Sequence, residues 1–515
     1  MSRCLSSSWI GRSAALAVAA ASLVSVSFAP AAFADDGTQS ADALTVLLSE
    51  YAGYWTAPGQ PYDGTGSHGQ VLDAGTAVLA QNDATTVAIN NAGAADATQA
   101  ARALADRDAD KNVGFAFKDG FGPVLGAYFE QGIGDGSLAD VLDVMNSNGW
   151  SANPAKVAYQ YPRPYVQRDT WLPNKDAEDK GANELGSLPS TLSIVQVPDG
   201  EGNDGQTHSA DYPKNYYEGS FPSGHTNKAY SRAVSIAAMV PELAPEILAR
   251  ASEAGNNRIV LGVHYALDVM GGRIGGEASN AAYFTANAEK VDAARAELRD
   301  YLTARCKADG HGDTLAACIA NTGADDANGY TNAFVDAVST EPVTDRASAL
   351  KAYRARMTYG FSQVGAAGQA FVAPQGAAEL LRYAYPDLSV DQRNAVLALT
   401  AIDSGYPLDS TSQGWQRIDL ARALSSKVTL DTSGAVVSVE DAAAPSVVTV
   451  SQPGGDNGAG NDEQHNGGNG GAADNGAKPS TLANTGADVA VLGVGAVVTL
   501  LAGATLLAAR RRSVR

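Results

Sequence analysis

The chain has 515 residues, of which 45% are hydrophobic and 18% are charged, and its formal net charge is −20. This composition is typical of folded proteins and excludes a wholly disordered or collagen-like chain. The negative charge argues against nucleic acid as a partner, because affinity for a phosphate backbone comes largely from Lys and Arg. With three Cys and no C-x-x-C spacing, the sequence also lacks a disulfide framework and a cysteine-based zinc site.

The N-terminal segment 1–34 is typical of a cleaved secretory signal. Two arginines precede the apolar run 14–26, and an Ala-x-Ala cleavage pattern follows at 32–34. An uncleaved anchor helix is the alternative, but it needs about 20 apolar residues and Pro30 interrupts the run. The pattern predicts a secreted protein.

Most of the chain between this segment and residue 450 shows apolar residues at helical spacing. Alternating strand patterns are scarce, and the candidate strands are 193–197, 435–439 and 446–450. We therefore predict an all-α fold.

Three segments concentrate cationic and imidazole side chains in this acidic chain. They are Lys156 with Arg163, then Ser223, Gly224 and His225, and finally Arg258, His264 and Asp268. Taken singly, each has an ordinary structural explanation: a solvated basic face, a capped helix with a surface histidine, and a structural His–Asp pair.

The second segment has the features of an anion site at a helix start. Pro222 suits the first turn of a helix, and helix-forming residues follow. The amides of Ser223, Gly224 and His225 would then be unpaired first-turn donors, which attract an anion. His225 would lie where it can give a proton to the bound group.

In the third segment, His264 and Asp268 are four residues apart and share one face of a helix. The carboxylate can accept the proton of one ring nitrogen and leave the other as nucleophile or base. Transfer of a phosphoryl group also needs fixed positive partners for its oxygens, and Lys156, Arg163 and Arg258 are candidates. Together the three segments predict a phosphoryl-transfer site.

The blocks K-x6-RP, PSGH and R-x5-H-x3-D stand in this order between Lys156 and Asp268. They resemble the signature of the PAP2 superfamily of type 2 phosphatidic acid phosphatases, and within it the secreted bacterial class A non-specific acid phosphatases. The resemblance covers roughly residues 40–300. It implies a helical bundle of the PAP2 and haloperoxidase type, beside which we expect a second, smaller helical accessory region.

The same resemblance implies roles for the site residues. His264 would attack phosphorus to form a phosphohistidine, Asp268 would hold its ring, and His225 would protonate the leaving alcohol. The phosphate oxygens would be held by cations and backbone amides: Lys156, Arg163, Ser223, Gly224 and Arg258. Small phosphate esters are the implied substrates, with no metal or other cofactor and with vanadate as an inhibitor.

Two departures from the family pattern stand out. Asn257 occupies a position where the family usually has Ser, and 57 residues separate Pro164 from Pro222. We expect this long insertion to reshape the pocket mouth, with four aromatic side chains as candidate lining: Trp171, Tyr212, Tyr216 and Tyr217.

Other functions remain open on the same fold. A vanadium-dependent haloperoxidase would hold vanadate where phosphate sits, with His264 as its ligand. A phosphatase of lipid or polyprenyl phosphates is the nearest enzymatic alternative. A wall-displayed adhesin on a disabled phosphatase fold would lack a catalytic residue, and none is missing.

Cys306 and Cys318 are expected to pair in an oxidising compartment, with two free thiols as the alternative.

The predicted regions are a signal at 1–34, a phosphatase domain at 35–300, a connecting segment at 301–345, an accessory region at 346–450, a flexible stalk at 451–481 and a sorting signal at 482–515.

The C-terminal pentapeptide Leu-Ala-Asn-Thr-Gly at 482–486 precedes the apolar run 489–509 and an arginine cluster. This order resembles the LAxTG-type sorting signal of Gram-positive, mostly actinobacterial, wall proteins. It implies that a sortase cuts between Thr485 and Gly486 and joins Thr485 to peptidoglycan. Only this segment would contact the membrane, before sorting; a permanent single-span anchor is the alternative.

Overall fold

The computed structural model describes residues 42–59, 68–107, 117–165, 192–193, 219–409 and 414–450, which belong to one compact unit that extends to Gly454. Helices predominate and strands are few, so the prediction of an all-α fold is confirmed.

Six helices lie in the first described part of the chain: α1 (Ala43–Leu47), α2 (Thr76–Ala95), α3 (Ala97–Arg107), α4 (Gly122–Asp135), α5 (Ala139–Ser147) and α6 (Asn153–Tyr159). The next helices form the centre and its flank: α7 (Gly224–Met239), α8 (Ala244–Val260), α9 (Ala266–Ala286), α10 (Ala288–Ala308) and α11 (Leu315–Thr322). Short 3₁₀ helices occur at Ser49–Gly53, Asp73–Gly75, Lys118–Phe121, Pro241–Leu243, Ala377–Leu381 and Trp415–Arg417.

The accessory region contains α12 (Arg346–Thr358), α13 (Val390–Thr400), α14 (Leu420–Leu424) and a three-stranded sheet. In that sheet β3 (Ser426–Leu430) lies between antiparallel β4 (Val436–Asp441) and parallel β5 (Ser446–Thr449), whereas β1 (Trp55–Thr56) and β2 (Gln70–Val71) form a separate two-stranded pair. The two predicted strands near residue 450 match β4 and β5, and β3 was not predicted.

Helix α8 is the centre of the molecule, because every one of its 17 residues is buried. It packs against α2, α3, α7 and α12, while α9 packs against α7. Close contact between α7 and α9 depends on small residues: a Cβ at Gly272 would lie 2.7 Å from the Thr226 Cβ and 2.8 Å from the Ser223 carbonyl oxygen. The starts of α7 and α9 are thereby held side by side.

Cys306 at the end of α10 and Cys318 in α11 form a disulfide with a Cα–Cα distance of 5.8 Å. Both residues are fully buried. The bridge fixes α11 against α10 beyond the end of the central helices.

No helix within the described ranges is long and apolar enough to cross a membrane. Several predicted features lie outside the described residues: the signal at 1–34, most of the candidate strand 193–197, the aromatic residues Trp171, Tyr212, Tyr216 and Tyr217, the stalk at 451–481, and the sorting signal with Thr485, Gly486 and the run 489–509.

Candidate active site

The three motif segments converge on His264. Lys156 lies on α6, Arg163 follows that helix, Ser223 caps α7, Arg258 is in the last turn of α8, and the His264 turn leads into Asp268 on α9. The positive groups at 163, 156, 258 and 225 all lower the pKa of His264, in that order after the larger effect of burial. The structure therefore brings all the predicted cations to one imidazole.

The ring of His264 is held in one tautomer. Its Nδ1 lies 3.0 Å from Oδ2 of Asp268, and that oxygen also accepts from the Tyr265 amide at 2.9 Å. Its Nε2 lies 2.9 Å from Nη1 of Arg163. Because a guanidinium can only donate, Nε2 must carry the lone pair and Nδ1 the proton. The ring thus presents an unprotonated nitrogen beside a cation.

Arg163 is oriented by the turn that carries His264. The same Nη1 donates to the Val263 carbonyl oxygen at 2.9 Å, and only 2% of the residue is exposed. A buried guanidinium held beside the imidazole is already positioned near the place where phosphate oxygens would bind, and it can donate to them by exchanging its bond to Nε2.

The start of α7 also borders this centre. The Ser223 hydroxyl accepts from the Thr226 amide at 3.2 Å and from the Thr226 hydroxyl at 2.9 Å, which makes Ser223 the helix cap. The Ser223 amide donates to the Asp268 carbonyl oxygen at 2.9 Å. This differs from the expectation that it is an open donor, and leaves Gly224 and His225 as first-turn amides that the helix itself does not use.

Burial governs the electrostatics of the His264–Asp268 pair. It raises the pKa of Asp268, while the Tyr265 amide and Arg163 oppose this rise and favour the carboxylate. Burial and the surrounding cations keep the pKa of His264 well below its usual range. His264 therefore stays neutral, and able to act as a nucleophile, into acidic solution.

A row of polar side chains on α2 supports the His264 turn, and sequence reasoning missed it. Asn82 accepts from the Leu267 amide at 3.0 Å, Thr86 accepts from the Ala266 amide at 3.2 Å, and Asn90 donates to the Val260 carbonyl oxygen at 2.8 Å. All three are fully buried and repeat every four residues. The row satisfies backbone groups on both sides of the turn, where Gly262 has a φ of +71°.

Asn257, which stands where the resembled pattern has Ser, lies in a buried polar network. Its side chain donates to Asp106 at 2.6 Å and accepts from Gln99. Asp106 in turn pairs with Arg250. The Asn257 side chain thus joins α8 to α3.

Among the described residues no cluster of His, Cys, Asp or Glu is placed to hold a metal ion.

Comparisons with known proteins concern this same region. Residues 138–291 match the model of the PAP2 superfamily, and this range contains every residue of the site from Lys156 to Asp268. This part of the chain is therefore similar to the PAP2 superfamily. A curated acid phosphatase of Zymomonas mobilis subsp. mobilis is 44% identical over 57 residues, which are 11% of this chain and 22% of that enzyme. The chain thus spans about a fifth of this relative. The largely helical architecture agrees with the PAP2 helical fold.

Proposed function

We propose that this protein is a secreted acid phosphatase that hydrolyses phosphate monoesters through a phosphohistidine. The neutral imidazole of His264 carries the proposal: its Nδ1–H donates to Asp268, and its unprotonated Nε2 accepts from Nη1 of Arg163 at 2.9 Å. The match to the PAP2 superfamily model and the similarity to an acid phosphatase support the same chemistry.

In the first step the ester phosphate binds between Arg163, Arg258, Lys156 and the start of α7. The cations neutralise the phosphate oxygens, a role that metal ions take in many other phosphoryl-transfer sites. Arg163 gives up its hydrogen bond to Nε2 of His264 for one to a phosphate oxygen, and the lone pair of Nε2 then faces phosphorus. Because the side chains at 163 and 258 are buried, binding brings the phosphate out of water and strengthens each contact.

In the second step the Nε2 of His264 forms a bond to phosphorus while the bond from phosphorus to the alcohol oxygen breaks. The imidazole becomes positively charged, and the carboxylate of Asp268 stabilises that charge through Nδ1. His225 gives its proton to the leaving oxygen. It is half-buried and lies beside Lys156 in the wall of an open cleft, which suits exchange with solvent.

In the third step a water oxygen attacks phosphorus and the bond to Nε2 breaks. His225, now neutral, takes the proton from that water, so the site returns to its starting state. Inorganic phosphate leaves. Vanadate, which mimics the five-coordinate phosphorus, is expected to inhibit.

The decisive experiment compares wild type with His264→Ala on 4-nitrophenyl phosphate, with exposed His68→Ala as the control. The His264 variant should lose at least about 10³-fold in kcat, because the nucleophile is gone, while the control keeps wild-type kcat. A phosphohistidine is hydrolysed in acid and survives in alkali. Rapid alkaline quenching of wild type during turnover of a substrate with a labelled phosphate should therefore trap the intermediate. Near-normal turnover by His264→Ala contradicts the assignment, and halide oxidation with added vanadate by a chain inactive on esters favours a haloperoxidase.

We also propose that the enzyme is secreted and attached to the wall of a Gram-positive, actinobacterial-type cell. The signal pattern at 1–34, the Thr485–Gly486 motif and the Cys306–Cys318 disulfide support this location. Cell fractionation tests it: release by a muralytic enzyme is expected. Release by detergent alone would mean that the C-terminal run remains a membrane anchor.

A further inference from the structure

An N-terminal segment packs against the candidate site from outside the stretch that matches the superfamily model. This segment, Ala43–Thr56, consists of α1, the 3₁₀ helix Ser49–Gly53 and strand β1, whereas the matching stretch begins at residue 138. None of its residues belongs to the three motif segments. It turns three buried aromatic side chains inward: Tyr51, Tyr54 and Trp55. Any part that it takes in the reaction therefore lies outside the family motifs.

The three motif segments meet in an aromatic cluster as well as at the imidazole. Each contributes one fully buried ring close in sequence to a site residue: Tyr161 two residues before Arg163, Phe221 two residues before Ser223, and Tyr265 directly after His264. The ring centroids of Tyr161 and Tyr265 lie 5.2 Å apart. The Tyr161 carbonyl oxygen accepts from the Ser220 amide at 2.7 Å. Tyr161 therefore contacts both of the other segments.

Tyr51 is the member of this cluster that comes from the N-terminal segment. Its ring is stacked on Phe221, with centroids 3.7 Å apart and planes 13° from parallel. It also makes edge contacts with Tyr161 at 5.4 Å and with Tyr159 at 5.7 Å. Tyr51 is fully buried. One side chain thus touches the first and the second motif segments at once, and its size sets the spacing between them.

The segment that carries Tyr51 is itself fixed to helices of the site. Trp55 Nε1 donates to the Tyr159 carbonyl oxygen at 3.1 Å, and the Tyr159 hydroxyl donates to the Thr45 carbonyl oxygen at 2.6 Å. Leu44 packs on α9, where a Cβ at Gly275 would lie 2.7 Å from Leu44 Cδ1. The segment is therefore held against both α6 and α9, so the ring of Tyr51 has a defined position between them.

We propose that Tyr51 is a positioning residue for the reaction, whose ring holds Arg163 and the start of α7 at the spacing that a bound phosphate requires. This inference rests on the proposed function. The phosphate would take contacts from both segments, so a shift of one against the other would move phosphorus out of line with His264. A misplacement of about 1 Å can cost about 10²-fold in rate. A smaller side chain at position 51 would leave a cavity into which the two segments partly relax.

The test measures kcat/KM on 4-nitrophenyl phosphate for wild type, Tyr51→Leu and Tyr51→Phe, at a temperature at which circular dichroism shows each protein folded. Tyr51→Leu should lose about 10-fold or more. Tyr51→Phe keeps the ring and should retain the wild-type value. Rescue by the ring alone separates a positioning role from a general loss of side-chain contacts.

Phe129→Leu is the matched control for the loss of a buried ring. Phe129 is fully buried and stacks on Phe121 with centroids 4.7 Å apart, but it belongs to α4 and to none of the motif segments. This variant should lose stability, as Tyr51→Leu does, and keep wild-type kcat/KM. If Tyr51→Leu does not fold, Tyr51→Met replaces it, because a flexible unbranched side chain fills the space without the shape of the ring; the same loss is expected.

Wild-type kcat/KM in folded Tyr51→Leu or Tyr51→Met overturns the inference, and so does an equal loss in Tyr51→Phe or in Phe129→Leu. In each of these cases wild type still hydrolyses the ester, and the phosphatase assignment stands. If wild type does not hydrolyse the ester, the proposed function fails and the inference fails with it.

Discussion

The amide of Ser223 donates to the carbonyl oxygen of Asp268 at 2.9 Å. Ser223 is the cap of α7, and Asp268 lies in the first turn of α9 and binds the ring of His264. One backbone hydrogen bond therefore joins the helix start that we propose binds phosphate to the turn that carries the proposed nucleophile. The spacing between the two is set by backbone atoms, which is a more rigid arrangement than a contact between side chains.

Gly272→Ala should disturb this spacing. The added Cβ would lie 2.7 Å from the Thr226 Cβ and 2.8 Å from the Ser223 carbonyl oxygen, so α7 and α9 must move apart. We expect a loss of about 1–3 kcal/mol in the free energy of unfolding and a lower kcat. Urea denaturation and steady-state kinetics measure both.

The control for this change is Gly134→Ala on α4, where a new Cβ meets nothing within 4 Å. It should be neutral or stabilise the protein by up to about 1 kcal/mol. If both variants behaved alike, close packing at Gly272 would not be what holds the two helix starts.

Arg163→Gln should raise the pKa of His264. Burial is the main cause of the low pKa of this imidazole, and the guanidinium of Arg163 is the next, since it disfavours a second positive charge nearby. Without that charge the ring takes up a proton at higher pH, so the acid limb of the activity profile moves to higher pH. NMR titration of the His264 ring reads the pKa directly, without substrate.

Lys118→Gln is the control for the titration, because Lys118 pairs with Glu130 at 3.0 Å, away from the imidazole. Its His264 titration should match that of wild type. An unchanged or lower pKa of His264 in Arg163→Gln would contradict the electrostatic account.

Asn90→Ala should lower kcat about 10-fold or more with little effect on KM. Asn90 is a positioning residue: it binds the Val260 carbonyl oxygen and, through Nδ2 and Oδ1, the backbone of Ser193. Its loss frees the turn that sets the direction of the His264 ring, while the phosphate-binding cations stay in place. Asn91→Ala is a close control, since Asn91 also contacts Ser193 but not this turn. Equal kcat in the two variants would show that the row on α2 is only structural.

Arg273→Met should destabilise the protein by about 3–5 kcal/mol, because it leaves Glu277 buried without its cation. Arg273 binds Glu277 at 3.0 Å and donates to the Gln416 carbonyl oxygen at 2.8 Å. Chemical denaturation measures the loss. Lys351→Met, which removes an exposed pair with Glu341, should change stability by less than about 1 kcal/mol, and similar losses in the two variants would contradict a special role for the buried pair.

The helical fold could be predicted from the sequence because apolar residues recur with helical period over long stretches. The meeting of the three motif segments could also be anticipated, since no single segment supplies both a nucleophile and the charges that a phosphate requires. The contact of His264 with Asp268 was expected from a shared helix face, but His264 lies in the turn before α9 and reaches Asp268 across the first turn of that helix.

The support of the site could not be predicted in the same way. Asn82, Thr86 and Asn90 repeat every four residues, which in a sequence is also the pattern of a solvated helix face. Only the packing of α2 against the ends of α8 and α9 makes them buried partners of the backbone. For the same reason the sequence did not reveal that the Ser223 amide is used by Asp268.

The hydrogen bonds between Arg273 and Gln416 determine how short a stable fragment of the protein can be. The stretch that matches the superfamily ends at residue 291, yet the inner side of α9 is completed by groups more than a hundred residues later. Tyr353 adds its hydroxyl to Glu277 at 2.8 Å. A polypeptide cut after the matching stretch would leave Arg273 and Glu277 on α9 without these buried partners, so we expect a stable fragment to extend at least through Gln416.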